Sequence, residues 1–262
     1  MEFALFIPRS GTPFWKSQVK FAQAAATDLG VSLKFYSADN QSRVMLRQVE
    51  EACQQGIDGV LFMNYEQIGE QILSITERYK VPSILYNTVF TSSDLIPRTK
   101  YQHWIGSVTP YDEEAGVHLA EQLLLKAKEH KLKQINMLVV NGNMKEISAQ
   151  QRNQGLNQFI KHHPNISIVA EVDTGTSWSR NESKRQFIKH YRQNPEINLV
   201  WAASDSLGLG VLDAITELSL PKGSIIVGGI DWQPEALQAI KNRLIIFQSV
   251  GISLKLRGEL YF

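Results

Sequence analysis

The chain contains 262 residues, of which 43% are hydrophobic and 20% are charged, and its formal net charge is +1. This composition excludes a disordered chain, a collagen-like repeat and a coiled coil. The near-neutral charge gives no global attraction to nucleic acid or to anionic lipid. The length suits one large domain or two of about 100–150 residues. No apolar run reaches the roughly 18 residues that a membrane helix needs, so we expect no membrane insertion.

Short strand-like runs alternate with helical patterns from the first residues onward. Apolar residues recur at spacings of three and four between the strands, which is typical of helices with one buried face. Gly30 and Gly56 are predicted to end the first two helices, because glycine adopts left-handed geometry at little cost. The strands are predicted at Phe3–Ile7, Val31–Phe35, Ile57–Met63 and Val81–Tyr86, and the helices at Trp15–Leu29, Leu46–Cys53 and Ile68–Tyr79.

The same alternation restarts after Trp104–Gly106. Strand–helix alternation with short connections predicts a parallel sheet covered by helices on both faces, and two such runs predict two domains. The strands of the second run are predicted at Ile135–Val140, Ile166–Glu171, Leu199–Ala203, Ile225–Gly229 and Leu244–Gln248. Its helices are predicted at about Asp112–His130, Ala149–His162, Ser179–Asn194, Leu207–Leu218 and Pro234–Asn242.

Two adjacent aromatic residues, Phe14 and Trp15, open the helix that follows the first strand. Ligands of open parallel sheets bind beyond the carboxyl ends of the strands, so this loop is a candidate binding segment. A ring face can pack against the C–H face of a sugar. Trp15 also lies on the apolar stripe of its helix, and a core position explains it equally well.

Planar polar side chains and a further indole follow several of the other predicted strands. Any one of them has a simpler explanation, since Asp205 and Asp231 could each cap the helix that follows. Their repetition at successive strand ends favours a polyol-binding cleft, because such groups can hold adjacent hydroxyls by paired hydrogen bonds. These candidates are Asn87, Arg152, Trp178, Asp205, Asp231 and Gln248.

Several short motifs, in their order and spacing, give the chain a family resemblance from about Phe3 to Val250. They are Pro13-Phe14-Trp15, Arg152-x-x-Gly155, Ala203-Ser204-Asp205-x-x-Gly208-Leu209-Gly210 and Gly228-Gly229-Ile230-Asp231. With them the chain resembles the type I periplasmic binding proteins, the sugar receptors of the ribose and galactose group. The resemblance implies an α/β fold with two doubly wound parallel-sheet lobes and a ligand cleft between them. Residues 1–106, with 249–262 returning, would form the N-terminal lobe, and 107–248 the C-terminal lobe.

The resemblance also implies a role for each candidate residue. Phe14 and Trp15 would stack on the ligand ring, which Asn87 would hydrogen-bond. The second lobe would supply polar contacts and a stacking indole, and a hinge residue would reach a hydroxyl; these are Arg152, Asp205, Asp231, Trp178 and Gln248. Sugar receptors often have aspartate where Asn87 stands. Asn87, Arg152 and Ser204-Asp205 together also resemble the receptor for the furanosyl quorum-sensing signal, but that receptor has arginine where Gln248 stands. The identity of the ligand therefore stays open.

Both ends of the chain depart from the family pattern. The family continues well beyond the position of Gln248, whereas only Ser249–Phe262 remain here, so we expect a truncated or frame-altered C-terminus. Met1 and Glu2 lead straight into the first strand with no basic segment of a signal peptide. We expect a periplasmic protein whose export signal has been removed, with the cytoplasm as the alternative location.

No catalytic motif is present in the sequence. The glycines after Ser204 lack the dinucleotide spacing, no lysine follows a phosphate-binding loop, and there is no nucleophile elbow. Cys53, the single cysteine, shares the apolar stripe of its helix, which predicts a buried, inert thiol. We expect no enzyme activity, no cofactor and no metal.

The prediction is therefore a receptor that closes on a small carbohydrate-like molecule and presents it to a membrane partner. That partner would be an ABC permease or a membrane sensor kinase, and no nucleic acid is expected to bind. The alternative is the effector-binding domain of a LacI-type transcriptional regulator, which needs a helix-turn-helix that does not precede Phe3. An α/β hydrolase is disfavoured because the sequence offers no catalytic triad.

Overall fold

The computed structural model describes residues 1–90, 95–175, 178–241, 247–249 and 255–256. The backbone divides into two compact units, one formed by residues 1–110 together with the strand Lys255–Leu256, the other beginning at Tyr111. This boundary lies beyond the predicted one at Gly106 because a strand over Trp104–Thr109 belongs entirely to the first unit. Within the described ranges, no helix is long and apolar enough to cross a membrane.

The first unit is a six-stranded sheet flanked by helices. Its strands run in the order β11-β5-β4-β3-β1-β2, and only β11 is antiparallel to its neighbour. The strands are β1 (Glu2–Ile7), β2 (Ser32–Ser37), β3 (Gly59–Phe62), β4 (Ser83–Tyr86), β5 (Trp104–Thr109) and β11 (Lys255–Leu256). The helices are α1 (Pro13–Asp28), α2 (Ser42–Gln54) and α3 (Gly69–Tyr79), with a 3-10 turn at Tyr65–Gln67.

The core of the first unit lies between this sheet and its helices, as the apolar pattern predicts. Phe6, Phe62 and Ile72 are fully buried there. Cys53 on α2 is also buried, which confirms the prediction of a buried thiol, and this burial raises its pKa to about 11.

The second unit is a five-stranded sheet in which all strands are parallel, in the order β10-β9-β8-β6-β7. Its strands are β6 (Ile135–Asn141), β7 (Ile166–Asp173), β8 (Leu199–Ala202), β9 (Ile226–Ile230) and β10 (Phe247–Ser249). Its helices are α4 (Asp112–Glu129), α5 (Ile147–Ile160), α6 (Arg180–Gln193), α7 (Asp205–Glu217) and α8 (Pro234–Lys241). The predicted start of the last strand at Leu244 lies outside the described residues. The prediction of two doubly wound parallel-sheet units is confirmed.

Two glycines bring helices α4 and α5 into backbone contact. A Cβ added at Gly116 would lie 2.0 Å from the carbonyl oxygen of Arg152, and one added at Gly155 would lie 1.9 Å from that of Glu113. Only residues without a side chain permit this approach. The consequence is that the first turn of α4 lies directly beside Arg152.

Hydroxyl side chains fix the start of helices α1 and α7, each of which follows a strand. Thr12 Oγ1 accepts a hydrogen bond from the Trp15 backbone N–H at 3.4 Å, and Pro13 occupies the first turn of α1. Ser204 Oγ accepts from the Leu207 N–H at the same distance. These caps satisfy backbone donors that a helix leaves unpaired, and so set where each helix begins after its strand.

Candidate ligand-binding site

The polar candidates of the second unit lie at the carboxyl ends of adjacent parallel strands. Arg152 lies in the second turn of α5, the helix that follows β6. Asp205 is the first residue of α7, after β8, and Asp231 directly follows β9. Because β6, β8 and β9 are neighbours in the sheet, these residues meet at one edge.

Arg152 is buried and held from several sides, with 11% of its side chain exposed. Its Nε donates to Asp112 Oδ1 at 2.7 Å. Its Nη1 donates to the carbonyl oxygen of Ala203 at 2.6 Å and to Asp231 Oδ1 at 3.4 Å. Among the described residues, Nη2 donates no hydrogen bond. The guanidinium is therefore fixed in orientation with one nitrogen left for a ligand oxygen.

Asp112 belongs to this cluster although the sequence analysis did not single it out. It is the first residue of α4 and is 3% exposed. Burial raises the pKa of its carboxyl, and the nearby Arg152 offsets only part of this effect. An acidic residue in a first helical turn is ordinarily explained by the helix dipole, so the sequence carried no distinct signal for this pairing.

Asp231 is the second carboxylate next to Arg152. Burial raises the pKa of its carboxyl to about 6, against the opposing effect of Arg152. Its φ of 126° and the φ of 60° at the following Trp232 are both in the left-handed region, which costs non-glycine residues energy. The indole of Trp232 remains 52% exposed. Asp231 therefore lies in a strained loop at the strand end, as binding residues often do.

Asp205 holds this loop in place. Its Oδ2 accepts a hydrogen bond from the Gln233 backbone N–H at 2.7 Å, and the Gln233 side chain donates to Ser206 Oγ at 3.0 Å. Asp205 is 1% exposed. Ser204, and not Asp205, caps α7 at the Leu207 N–H. Asp205 thus fixes the backbone next to Asp231.

Trp178 borders the same cluster. The centroid of its ring lies 5.8 Å from Arg152 Cζ. Its Nε1 donates to Glu146 Oε2 at 3.2 Å, and the ring covers the bare Cα of Gly142. The second unit therefore brings Arg152, Asp231 and Trp178 together, and Asp205 supports the loop that carries Asp231.

The first unit places its candidates at the carboxyl ends of β1 and β4. The half-buried Phe14 packs edge-on against Trp15, with ring centroids 4.8 Å apart. Trp15 is 4% exposed in the core, which leaves little ring face for a ligand. The half-buried Asn87 has a φ of 56° and donates its backbone N–H to the Val108 carbonyl at 2.9 Å.

A buried charge in the first unit was also missed. Arg9, just after β1, is 8% exposed, and its Nη1 donates to Asn40 Oδ1 at 2.9 Å. A lone arginine in a loop carries no sequence signal for burial.

Gln248 lies on β10, where its backbone is paired with Gly229, and its side chain lies outside the described residues. In the described ranges, no group of three or more histidine, cysteine or acidic side chains is placed to hold a metal.

Comparison with curated proteins finds several binding proteins at low identity. The chain is 26% identical to the xylitol-binding protein of Mycolicibacterium smegmatis, covering 81% of this chain but only 56% of that protein. It is 25% identical to a galactofuranose-binding protein of Escherichia coli, covering 86% of this chain and 70% of that one. Binding proteins for apiose, ribose and allose are also similar to the chain, and these names give no support to a transcriptional regulator or a hydrolase.

Solved structures of sugar-binding proteins have the same fold as this chain. A periplasmic sugar-binding protein from Pseudomonas fluorescens is 29% identical, with a TM-score of 0.81 over 94% of this chain and 74% of that one. A galactofuranose-binding protein has a TM-score of 0.82 at 21% identity, over 94% of this chain and 81% of that one, and supports the fold.

The family model described as a periplasmic binding protein domain matches residues 3–251. Proteins of this family bind substrates and are not enzymes, so the prediction of a non-enzymatic chain is confirmed. With this match over nearly the whole chain, and with two parallel-sheet units of the same fold, the chain belongs to the periplasmic binding protein family.

Proposed function

We propose that this protein is a receptor that binds a small, uncharged sugar or sugar-like polyol, closes on it and presents it to an ABC permease. The observation that carries the proposal is the fixed guanidinium of Arg152 at the strand ends. Its Nη1 lies 3.4 Å from Asp231 Oδ1, and its Nη2 donates no hydrogen bond within the described part of the chain. A sugar hydroxyl both donates and accepts hydrogen bonds, so this donor and acceptor suit neighbouring hydroxyls.

The raised pKa of Asp231 supports a ligand that donates hydrogen bonds. Burial disfavours the charged form of this carboxyl, and Arg152 compensates only partly. Hydroxyl groups of a bound ligand would donate to the carboxylate oxygens and replace the lost hydration. A hydrogen bond to a charged group contributes about 1.5–3 kcal/mol.

The charges around Arg152 support an uncharged ligand over an anionic one. Two buried carboxylates, Asp112 and Asp231, lie within hydrogen-bond or ion-pair distance of the single guanidinium. Arg152 Nε and Nη1 are already engaged, so a bidentate grip on a ligand carboxylate or phosphate is blocked. An anionic ligand would meet a cluster with no spare positive charge.

The first unit is proposed to contribute Phe14 as a stacking ring, with Trp15 supporting it from the core, and Asn87 as a hydrogen-bonding group. Gln248 is proposed to reach a hydroxyl from β10. Trp178 would stack from the second unit. Aromatic rings beside convergent polar groups are the usual composition of a small-ligand site.

The proposed location is the periplasm, and the proposed partner is the permease of an ABC transporter. Relatives named as import binding proteins for ribose and for apiose support this partner. A membrane sensor kinase could also read a receptor that closes on its ligand, but the names of these two relatives refer to import.

A thermal-shift and calorimetry panel tests the proposed function. D-ribose, D-allose, xylitol and myo-inositol serve as probes, with D-ribose 5-phosphate as the anionic probe. At about 100 times its Kd, a ligand adds about 2.7 kcal/mol of stability. We expect at least one uncharged probe to raise the Tm and the anionic probe to leave it unchanged.

The variant Arg152→Lys keeps the charge but loses the planar donor set, so its affinity should fall about tenfold or more. The matched control is Arg180→Lys, since Arg180 pairs at the surface of the same unit with Asp213 and Glu235. No Tm shift with any uncharged probe, or normal binding by Arg152→Lys, would contradict the proposal.

A further inference from the structure

We propose that Glu146 is the positioning residue that sets the plane of the Trp178 indole, and through it the preference of the site for cyclic sugars over open-chain polyols. The second half of this statement rests on the proposed function, because it takes Trp178 as a ring that contacts the ligand. The first half concerns the empty protein alone.

The backbone around Trp178 does not fix the direction of its side chain. Trp178 precedes helix α6 by two residues and has a φ of 48°, outside both regular helix and strand. Its backbone N–H donates to the Gly175 carbonyl at 3.3 Å, which closes only a local turn. The orientation of the indole must therefore come from what its ring contacts.

One face of the ring lies directly on Gly142, in the loop after β6. A Cβ added at Gly142 would be 2.3 Å from Trp178 Cδ2 and Cε2, so the ring occupies the space where any other residue has its side chain. This contact fixes the height of the ring above the loop. The glycine touches only part of the ring, so rotation about χ2 can still tilt the indole over the loop.

Glu146 removes that freedom. Its Oε2 accepts the hydrogen bond of the indole Nε1 at 3.2 Å, which pins one edge of the ring. Its Oε1 accepts from Asn143 Nδ2 at 3.2 Å, and its backbone N–H donates to the Asn143 carbonyl at 2.9 Å. Asn143 is itself 3% exposed. The carboxylate is thus held by a buried residue and in turn holds the indole.

The pinned ring forms a wall beside Arg152, whose Cζ lies 5.8 Å from the ring centroid. A cyclic sugar presents a rigid C–H face that gains from packing on an aromatic plane of defined orientation. An open-chain polyol has no fixed face and depends mainly on hydrogen bonds. Loss of the ring orientation should therefore weaken the cyclic ligand more than the open-chain one.

The test compares Glu146→Ala and Glu146→Gln by calorimetry with D-ribose and xylitol. In Glu146→Ala we expect the affinity for D-ribose to fall about tenfold and that for xylitol less than about threefold. Glu146→Gln should bind both sugars better than Glu146→Ala, since its amide oxygen can still accept from the indole, although its amide nitrogen cannot accept from Asn143 Nδ2. The matched control is Glu171→Ala, because Glu171 accepts hydrogen bonds from Asn141 and Asn153 in the same unit but none from an indole.

A second measurement needs no ligand. The near-ultraviolet circular dichroism of the empty protein should change in Glu146→Ala, and this change should vanish when the same substitution is made in a Trp178→Phe background. An unchanged spectrum, or an equal loss of affinity for both probes, would overturn the proposal. If the wild-type protein binds no sugar at all, the proposed function fails, while the spectra still decide whether Glu146 orients the indole.

Discussion

Replacing Asp231 with asparagine should make the empty protein more stable while it weakens ligand binding. The carboxyl is buried, with 9% of the side chain exposed, and its pKa is raised from 3.8 to about 6. A shift of this size means that folding disfavours the ionised form by about 3 kcal/mol, an order-of-magnitude figure. Asparagine has nearly the same shape and no charge, so Asp231→Asn removes this cost.

The pH dependence of stability gives the sign of the effect. Because the pKa of Asp231 is higher in the folded than in the unfolded protein, its cost is fully present above about pH 6 and disappears as the pH falls toward 4. At pH 7.5 the Tm of empty Asp231→Asn should exceed that of the wild type by several degrees. At pH 5 this difference should shrink.

Ligand binding should change in the opposite direction. Losing a charge-assisted acceptor costs about 1.5–3 kcal/mol, which corresponds to a tenfold or greater rise in Kd. Differential scanning fluorimetry at two pH values and calorimetry with the best panel sugar measure both effects. Asp213→Asn is the control, because Asp213 is a surface carboxylate paired with Arg180 in the same unit. An empty Asp231→Asn that melts lower than the wild type at pH 7.5 and binds normally would refute the reasoning.

Two further predictions follow from the same geometry. Affinity should fall about tenfold between pH 7.5 and pH 5, because Asp231 is protonated below about pH 6, and titration calorimetry of the wild type against the pH-insensitive Asp231→Asn checks it. In Gly155→Ala the new Cβ would lie 1.9 Å from the Glu113 carbonyl oxygen, so helices α4 and α5 must move apart. The free energy of unfolding should fall by about 1–3 kcal/mol, with a lower Tm. Binding should weaken because Arg152 moves with its helix. The control for stability is the thermal melt of Gly11→Ala, where nothing lies within 4 Å of the added Cβ, and equal Tm values of the two variants would contradict the prediction.

The sequence predicts the fold well because the information it needs is local. Apolar residues at spacings of two, three and four show which face of each strand or helix is buried, and the two runs of alternation predict two parallel sheets. Differences occur at element ends. The predicted strand over Val81–Tyr86 begins at Ser83, and the strand Trp104–Thr109 is longer than its apolar part suggests.

The edge of the sheet on which the candidates lie was also predictable. Parallel strands place the residues that follow them on one side, so Arg152, Asp205 and Asp231 had to lie at the same edge. Sequence could not distinguish their tasks. Asp205 fixes the loop through Gln233, and Trp15 packs in the core. Sequence does not show this, because each contact depends on residues that are distant in the chain.

The sequence by itself thus determined the two sheets, the strand ends that carry the polar residues, and the buried thiol of Cys53. Only the tertiary structure decided which carboxylates pair with Arg152. Asp112 lies 40 residues earlier in the chain and reaches the guanidinium because Gly116 and Gly155 let two helix backbones touch. Periodicity records whether a residue faces inward, but the distance between two inward-facing residues on different helices is set by how closely those helices pack.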